Sequence, residues 1–263
     1  MGKYAHAEFC QSCFSKCKEC DGDGFVFEVD DHGHEFAKKC SCQDLKHRIM
    51  LFNNAQIPSQ FYDVSFSNFK VSGNASLQSA LDTARFSFKN YKIGNWKGLL
   101  FMGGVGVGKT RLVSTMIKDY TLKYGIPCLF QEFSSLLSSI KSGYDKGFSE
   151  SSILEKINNI EILVVDELGK GRKSDWEINI LDTIISNRYN TRKTTIFTTN
   201  YTDKKETSYQ DSARKKLDGE EREKNETLEQ RVLPRIYSRL KGMCDFIEMK
   251  GPDFRYPKTE YSA

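Results

Sequence analysis

The stretch Gly98-Leu-Leu-Phe-Met-Gly-Gly-Val-Gly-Val-Gly-Lys-Thr110 decides the fold. Its beginning, residues 98–102, is apolar like a buried strand, and Gly103 to Thr110 fit the pattern G-x4-G-K-[ST]. The next ten residues, 111–120, place apolar side chains on one helical face, and Gly125 follows as a helix-ending glycine. A strand, a glycine loop and a helix in this order predict backbone amides that surround a phosphate at the helix N-terminus.

This loop supplies the candidate nucleotide-binding residues. We expect Lys109 to reach the β- and γ-phosphates and the Thr110 hydroxyl to bind Mg²⁺. The predicted binding set in the loop and the first helical turn is Gly103, Gly104, Val105, Gly106, Val107, Gly108, Lys109, Thr110 and Arg111.

A second apolar run, Ile162-Leu-Val-Val165, leads directly into Asp166 and Glu167. Carboxylates at the carboxyl end of a buried strand suit a magnesium site beside a phosphate loop. We expect Asp166 to hold Mg²⁺ through water and Glu167 to polarise the attacking water. Taken alone, the pair is better explained as a solvated strand end; the phosphate loop favours the catalytic interpretation.

Two further elements follow the acidic pair. Ser174-Asp-Trp-Glu177 has the spacing of a capping box and predicts the start of a helix. Thr194-Thr-Ile-Phe-Thr-Thr199 predicts a strand that ends at Asn200. On a strand beside that of Asp166, Asn200 would contact the γ-phosphate or its water; the alternative is a turn-forming asparagine.

Cysteines are concentrated near the start of the chain. Two C-x2-C pairs and one C-x-C pair comprise Cys10, Cys13, Cys17, Cys20, Cys40 and Cys42. Two short loops that each carry two thiolates close a tetrahedral Zn²⁺ site, and we expect the ligands to be Cys17, Cys20, Cys40 and Cys42. Between them, Phe25-Val-Phe-Glu-Val29 predicts one strand of a small zinc ribbon.

The remaining pair, Cys10 and Cys13, is the less favoured ligand pair. It either exchanges with the second pair or forms another site with His6 or His47. A disulfide framework is typical of secreted chains and fits poorly with a chain that carries a phosphate loop.

The order of these motifs resembles an AAA+ ATPase, and more closely the DnaC/DnaI replicative helicase loaders and the IstB transposition ATPases. The resemblance covers about residues 57–255 and rests on Ile57-Pro-Ser-Gln-Phe-Tyr-Asp-Val-Ser-Phe-Ser-Asn-Phe69, Val165-Asp-Glu-Leu-Gly169, Ile184-Ile-Ser-Asn-Arg-Tyr189, Thr198-Thr-Asn200 and Ser238-Arg-Leu240. It implies an α/β fold, with a parallel sheet flanked by helices and a reduced lid, after a small zinc-ribbon-like domain. The expected division is a zinc domain at 1–50, a linker and start of the ATPase at 51–76, and the ATPase at 77–263.

The resemblance also implies ATP as the cofactor and its hydrolysis as the reaction. The implied catalytic residues are Lys109, Glu167, Asn200 and Arg239. Arg239 matches an arginine finger that completes a neighbouring subunit's site; Arg235 is a substitute candidate, and a solvated helix residue is the alternative. Two features depart from the family or lack a role: the charged stretch Lys204 to Glu226 is longer than expected, and Arg255 in a closing Gly251-Pro-Asp-Phe-Arg255 motif has no assigned chemistry.

A helical region from Phe133 to Asn159 lies between a predicted strand, Cys128-Leu-Phe-Gln-Glu132, and the strand that leads into Asp166. By resemblance to initiator and loader ATPases it would follow single-stranded DNA, with Lys141, Tyr144 and Lys146 near the phosphates and Tyr144 able to stack on a base. The alternative is two ordinary amphipathic helices joined by a solvated turn.

Composition limits the remaining possibilities. A net charge of +4 is too small to predict nucleic-acid binding from bulk charge, although it permits a local basic groove. No apolar run approaches the roughly 18 residues of a membrane helix, and the N-terminus has no signal peptide, so we expect a cytoplasmic protein without membrane contact.

The predicted function is ATP-dependent loading of a hexameric replicative helicase, with single-stranded DNA binding and self-association. One alternative is a transposition regulator that acts on a transposase and duplex DNA. The others are a small-molecule P-loop kinase and a zinc adaptor that nucleotide merely stabilises.

Overall fold

The computed structural model describes residues 2–8, 10, 17–71, 73–94, 96–203 and 226–255. Cys13 and nearly all of the charged stretch from Lys204 to Glu226 lie outside these residues. Within the described ranges, none of the helices combines the length and the apolar character that a membrane crossing requires.

A parallel sheet forms the centre of the molecule. Its strands are β3 (Gly98–Met102), β4 (Cys128–Glu132), β5 (Ile162–Asp166), β6 (Thr194–Thr199) and β7 (Cys244–Glu248). They are ordered β4-β5-β6-β3-β7. Because β6 lies between β3 and β5, the strand that precedes Asn200 separates the phosphate-loop strand from the acidic strand. The predicted parallel α/β sheet is confirmed.

Helices cover both faces of this sheet. They are α1 (Ser41–Asn54), α2 (Ala75–Lys89), α3 (Lys109–Tyr124), α4 (Phe133–Asp145), α5 (Glu150–Asn159), α6 (Asp175–Asn190), α7 (Leu228–Val232) and α8 (Pro234–Met243). Along β3, Leu99 and Phe101 join the core with α1 to α3, whereas Leu100 and Met102 join the core with α4 to α8. This alternation is what a strand buried on both faces requires.

Several helix limits follow the predicted signals. Ser174 and Glu177 form the predicted capping box at the start of α6. Gly125 ends α3 in the left-handed conformation, with φ 64°, and its N–H donates to the carbonyl of Thr121. These predictions are confirmed.

The buried Arg188 fastens α6 to its surroundings. Its side chain is fully buried, and burial lowers its pKa to about 9. The guanidinium donates to the hydroxyl of Thr195 and to the carbonyl oxygens of Ile157, Asn158, Ile160, Glu161 and Thr194. The last turn of α6 is therefore tied to the end of α5 and to the start of β6.

An antiparallel hairpin precedes the sheet, with strands β1 (Phe25–Val29) and β2 (Glu35–Lys39). Helix α1 begins directly after Cys40 and packs against α3, so the predicted domain boundary at residue 50 lies inside α1. The division into domains stays a prediction.

The first described residues form an N-terminal arm, residues 3–7, that lies along residues 53–59. The amide of Ala5 donates to the carbonyl of Ile57 at 2.7 Å, and the amide of Ser59 donates to the carbonyl of Lys3 at 3.2 Å. The side chain of Asn53 bonds the amide of Ala7 at 2.8 Å and its carbonyl at 3.0 Å. The arm is thus attached beside the sheet.

Candidate nucleotide site and metal centre

The phosphate loop holds the amine of Lys109 in place. Only 8% of Lys109 is exposed, and its Nζ donates to the carbonyls of Gly103 and Gly104, both at 2.7 Å. It also donates to Oδ1 of Asn200 at 2.8 Å. Burial lowers the pKa of Lys109 to about 8, although nearby Asp166 and Glu167 oppose the shift. The amine and the Asn200 amide group therefore meet at one end of the sheet, and their contact with a γ-phosphate stays a prediction.

A set of oxygen ligands lies beside this amine. The Thr110 hydroxyl donates to Oδ1 and Oδ2 of Asp166 at 3.1 and 3.2 Å, and the Thr198 hydroxyl donates to Oδ1 at 2.5 Å. Burial raises the pKa of Asp166. A carboxylate and a hydroxyl that converge on one point are hard oxygen donors, and they fit Mg²⁺. These are the two residues predicted as its ligands.

Neighbouring residues stabilise an unusual backbone conformation at Glu167. Its φ is 57°, in the left-handed region that few non-glycine residues adopt, and its amide donates to the Thr198 hydroxyl at 3.0 Å. Its carboxylate accepts from Nζ of Lys170 at 2.5 Å, and Lys170 also lies 3.6 Å from Glu132 Oε1. The candidate base is thus fixed in both backbone and side chain.

A cavity of about 440 Å³ opens on the phosphate loop. Predicted residues in its lining are Val105, Gly106, Gly108, Lys109, Thr110, Arg111, Glu167 and Asn200. Asp166 lines an adjoining cavity of about 350 Å³ together with Thr110 and Glu167. Val107 is buried instead of facing the cavity, and Gly103 and Gly104 contribute their carbonyls to Lys109.

The closing motif, residues 251–255, packs against the phosphate loop. The amide of Phe254 donates to the carbonyl of Gly106 at 3.1 Å, and both Phe254 and Arg255 line the larger cavity. Gly106 has φ +75°, and a Cβ there would lie 1.8 Å from Oδ1 of Asp253, so a larger residue would be strained and would displace the Asp253 carboxylate. Arg255 acts on Lys109 as a like charge that lowers its pKa.

Several residues of this site have no role that the sequence predicts. Thr198, Lys170 and Arg255 contact the predicted residues or line the cavity with them. The motif ending at Arg255 is visible in the sequence, whereas the position of Thr198 depends on how β6 pairs with β5, and that of Lys170 on the turn that follows β5.

Arg239 lines neither of these two cavities. Its Nη1 donates to Oδ1 of Asp182 at 3.1 Å, and Nε of Arg235 lies 3.2 Å from Oδ2 of the same carboxylate. The structure does not bring Arg239 to the phosphate loop of its own chain, and a role in a neighbouring subunit's site stays a prediction.

Two of the three predicted DNA contacts lie near Trp176 on α6, and the third lies elsewhere. Nζ of Lys141 lies 4.7 Å from the ring centroid of Trp176, and the Tyr144 hydroxyl donates to Glu150. Lys146 instead lines an open groove of about 630 Å³ with Lys3 and serines of α4. The structure brings Lys141 and Tyr144 together beside α6 and leaves Lys146 in the groove.

The predicted zinc ligands lie together. The sulfur atoms of Cys17, Cys20, Cys40 and Cys42 are all within 4.8 Å of one another. Backbone N–H groups of Glu19 and Cys20 lower the pKa of Cys17 to about 7, whereas burial and the neighbouring thiols raise that of Cys42 to about 12. Because a cation relieves the repulsion that opposes deprotonation of four adjacent thiols, this donor set fits Zn²⁺. Among the described residues, the exposed Cys10 is not part of this group.

Known proteins include relatives of this chain. Residues 34–215 match the family model described as IstB-like ATP binding protein. The replicative helicase loader DnaC of Escherichia coli K12 is 28% identical over 150 residues, which are 57% of this chain and 60% of that protein. The matched region thus spans less than two thirds of that relative.

Solved structures give the same result. A crystal structure of the DnaC helicase loader matches with a TM-score of 0.60 and 30% identity, over 73% of this chain and 99% of that one. A crystal structure of DnaI matches in fold, with a TM-score of 0.56 and 22% identity over 74% and 93% of the two chains. The family model covers well over half of the 263 residues. The phosphate loop of this chain has the geometry described above. The chain therefore belongs to the IstB-like ATP-binding protein family, with the AAA+ fold of DnaC.

Proposed function

We propose that this protein is an ATP-dependent loader of a hexameric replicative helicase, which self-associates, binds single-stranded DNA and hydrolyses ATP. The observation that carries the proposal is the convergence of Lys109, Asn200 and the Thr110–Asp166 pair at one end of the sheet. Relatives of the chain are named replicative helicase loaders, which favours a helicase over a transposase as the partner.

In this proposal the chain contributes positioning and charge. Lys109 binds the β- and γ-phosphates, Asn200 orients the γ-phosphate or its water, and Thr110 and Asp166 hold Mg²⁺. Bound Mg²⁺ supplies positive charge to the phosphate oxygens. Glu167 accepts the proton of the attacking water as the bond between the γ-phosphorus and the ADP oxygen breaks. Arg239 of an adjoining subunit neutralises the developing charge.

The N-terminal hairpin supplies the proposed docking surface for the helicase. The side chains of Phe25, Phe27 and Val29 alternate along β1 and are 46%, 74% and 63% exposed. Exposed apolar side chains on a two-stranded hairpin are typical of protein interaction sites. Zinc bound by Cys17, Cys20, Cys40 and Cys42 would hold this hairpin in shape.

Capture by immobilised full-length protein tests the partner. We expect a hexameric replicative helicase to be retained and a transposase not. Phe27→Asp should weaken helicase binding by about tenfold or more, as for an apolar anchor of an interface. Phe86→Asp is the matched control, because Phe86 is 70% exposed on α2. Capture of the transposase alone, or equal losses in both variants, would contradict the proposal.

Kinetics of single and mixed variants test the shared site. Lys109→Ala should abolish ATP binding, since it removes the cation on the phosphates. Arg239→Ala should retain ATP binding but lose hydrolysis by about a hundredfold or more, and an excess of Glu167→Gln subunits should restore it. Absence of rescue, or full-speed hydrolysis by a monomer at every dilution, argues against a site shared between subunits.

A further inference from the structure

A single carboxylate, that of Asp182 on α6, holds both arginines of α8. Oδ1 accepts from Nη1 of Arg239 at 3.1 Å, and Oδ2 lies 3.2 Å from Nε of Arg235. The two arginines are four residues apart on α8, so they lie on the same face of that helix. We call Asp182, Arg235 and Arg239 the arginine clasp.

The clasp stands on a rigid support. The Ser186 hydroxyl, one helical turn further along α6, donates to the same Oδ1 of Asp182 at 3.2 Å. The capping box fixes the first turn of α6, and the buried Arg188 fixes its last turn. Asp182 therefore lies on a helix that is fixed at both ends, and the two arginine side chains are placed against its carboxylate.

The clasp is also accessible. The side chains of Arg235, Arg239 and Asp182 are 57%, 35% and 23% exposed. None of the three lines the phosphate-loop cavity of its own chain. The clasp therefore lies at the surface, where a neighbouring molecule can reach it.

The chemistry of guanidinium explains what the carboxylate can do there. Arginine stays charged at every physiological pH and has five N–H donors in a planar fork, so one edge can bind a carboxylate while another binds a phosphate. Two arginines one turn apart repel each other, and a carboxylate between them offsets that repulsion. A long side chain held at one edge also has fewer conformations to lose when it meets the phosphate.

We propose that Asp182 is a positioning residue, which orients Arg239 for insertion into the nucleotide site of an adjoining subunit. This inference rests on the proposed function, because it requires a site shared between subunits. Hydrolysis in one subunit then depends on a carboxylate that belongs to the next subunit and touches no nucleotide.

Mixed-subunit kinetics isolate this role. Arg239→Ala subunits serve as acceptors, with an intact phosphate loop and Glu167. Glu167→Gln subunits serve as donors, with an intact clasp, so that every turnover occurs at an acceptor site. A donor that also carries Asp182→Asn should lower kcat by about tenfold with an unchanged KM for ATP, since misplacement of a catalytic group costs rate more than binding. A donor with Asp182→Glu should recover part of the rate.

Asp245→Asn in the donor is the matched control, since Asp245 forms an exposed ion pair with Lys97 at 3.4 Å away from the clasp. Equal kcat for the Asp182→Asn and control donors, or a higher kcat, overturns the positioning role. Failure of the unmodified Glu167→Gln donor to activate the acceptor overturns the shared site itself. Thermal melting of each donor separates a folding defect from loss of positioning. If Asp182→Asn does not fold, the Asp182→Glu donor, which keeps the charge but displaces the carboxylate, should still give a kcat below that of the control donor.

Discussion

At the scale of single residues, Lys109 shows how burial sets the conditions for binding. Its amine is surrounded by oxygen acceptors but almost removed from water, and its pKa falls to about 8. A phosphate favours the charged amine, so binding to the neutral form requires uptake of a proton. In the free protein, most Lys109 amines therefore carry the positive charge that phosphate binding requires only when the pH is below this pKa.

Nucleotide affinity should consequently fall as the pH rises through 8. The charged fraction of a group with this pKa decreases about tenfold between pH 7 and pH 9, and the Kd for ATP should increase by about the same factor. Lys109→Arg is the control: its guanidinium stays charged, so any residual affinity should not vary over this range. Titration of fluorescent ATP at fixed ionic strength measures both. Parallel pH profiles for the two proteins would show that Lys109 is not the titrating group.

At the scale of elements, α6 is held to the sheet by its buried Arg188 rather than by apolar packing alone. The guanidinium donates to carbonyls at the end of α5 and at the start of β6. A buried carbonyl without a donor lowers the free energy of unfolding, so the several hydrogen bonds of this guanidinium stabilise the fold.

Arg188→Met should destabilise the fold by about 3 kcal/mol or more, because it leaves several buried carbonyls unsatisfied. Arg192→Met, an exposed position just after α6, should change stability by less than about 0.5 kcal/mol. Urea denaturation of both variants gives the comparison. Similar midpoints would mean that water or backbone shifts replace the bonds of Arg188.

The elements themselves were largely predictable, because most carry strong local patterns. β3, β5 and β6 are continuous apolar or threonine-rich runs, and the limits of α3 and α6 follow from Gly125 and Ser174. β7 was not predicted: it lies at the sheet edge and is only partly buried, so its apolar signal is weak.

The site residues that lie close together in the sequence were predictable. The contacts that depend on the register between strands were not. Lys109 and Thr110 follow from one loop. The contacts of Thr198 arise because β5 and β6 pair in a particular register, which places Thr198 next to Asp166 and Glu167. Lys170 contacts Glu167 because a tight turn follows β5. The zinc ligands are an intermediate case: each pair is local, and the pairing of β1 with β2 brings the two pairs together.

At the scale of the whole molecule, the cysteine cluster and the sheet form separate centres joined by α1. Cys40 and Cys42 flank the start of this helix, and its other end packs near β4, where Ala55 accepts from Phe130 at 2.8 Å. The hairpin has almost no buried apolar side chain of its own, so its shape depends on the cluster.

Purified protein should contain about one zinc ion per chain, as for a site with four thiolates. Cys40→Ser should lose this metal, because it removes one of the four ligands, and hydrogen exchange of residues 25–39 should accelerate while that of β3 to β6 is unchanged. Cys10→Ser is the control and should keep its zinc. Equal metal content in the two variants would remove Cys40 from the ligand set.

The N-terminal arm has a consequence for limited proteolysis. Residues 3–7 are hydrogen-bonded to residues 53–59, and the cysteine cluster joins Cys17 and Cys20 to Cys40 and Cys42. A protease that cuts the exposed turn at Asp31 to Gly33 would break the chain between two points of attachment. The nicked protein would then migrate as one particle in a native gel and as two fragments only after denaturation.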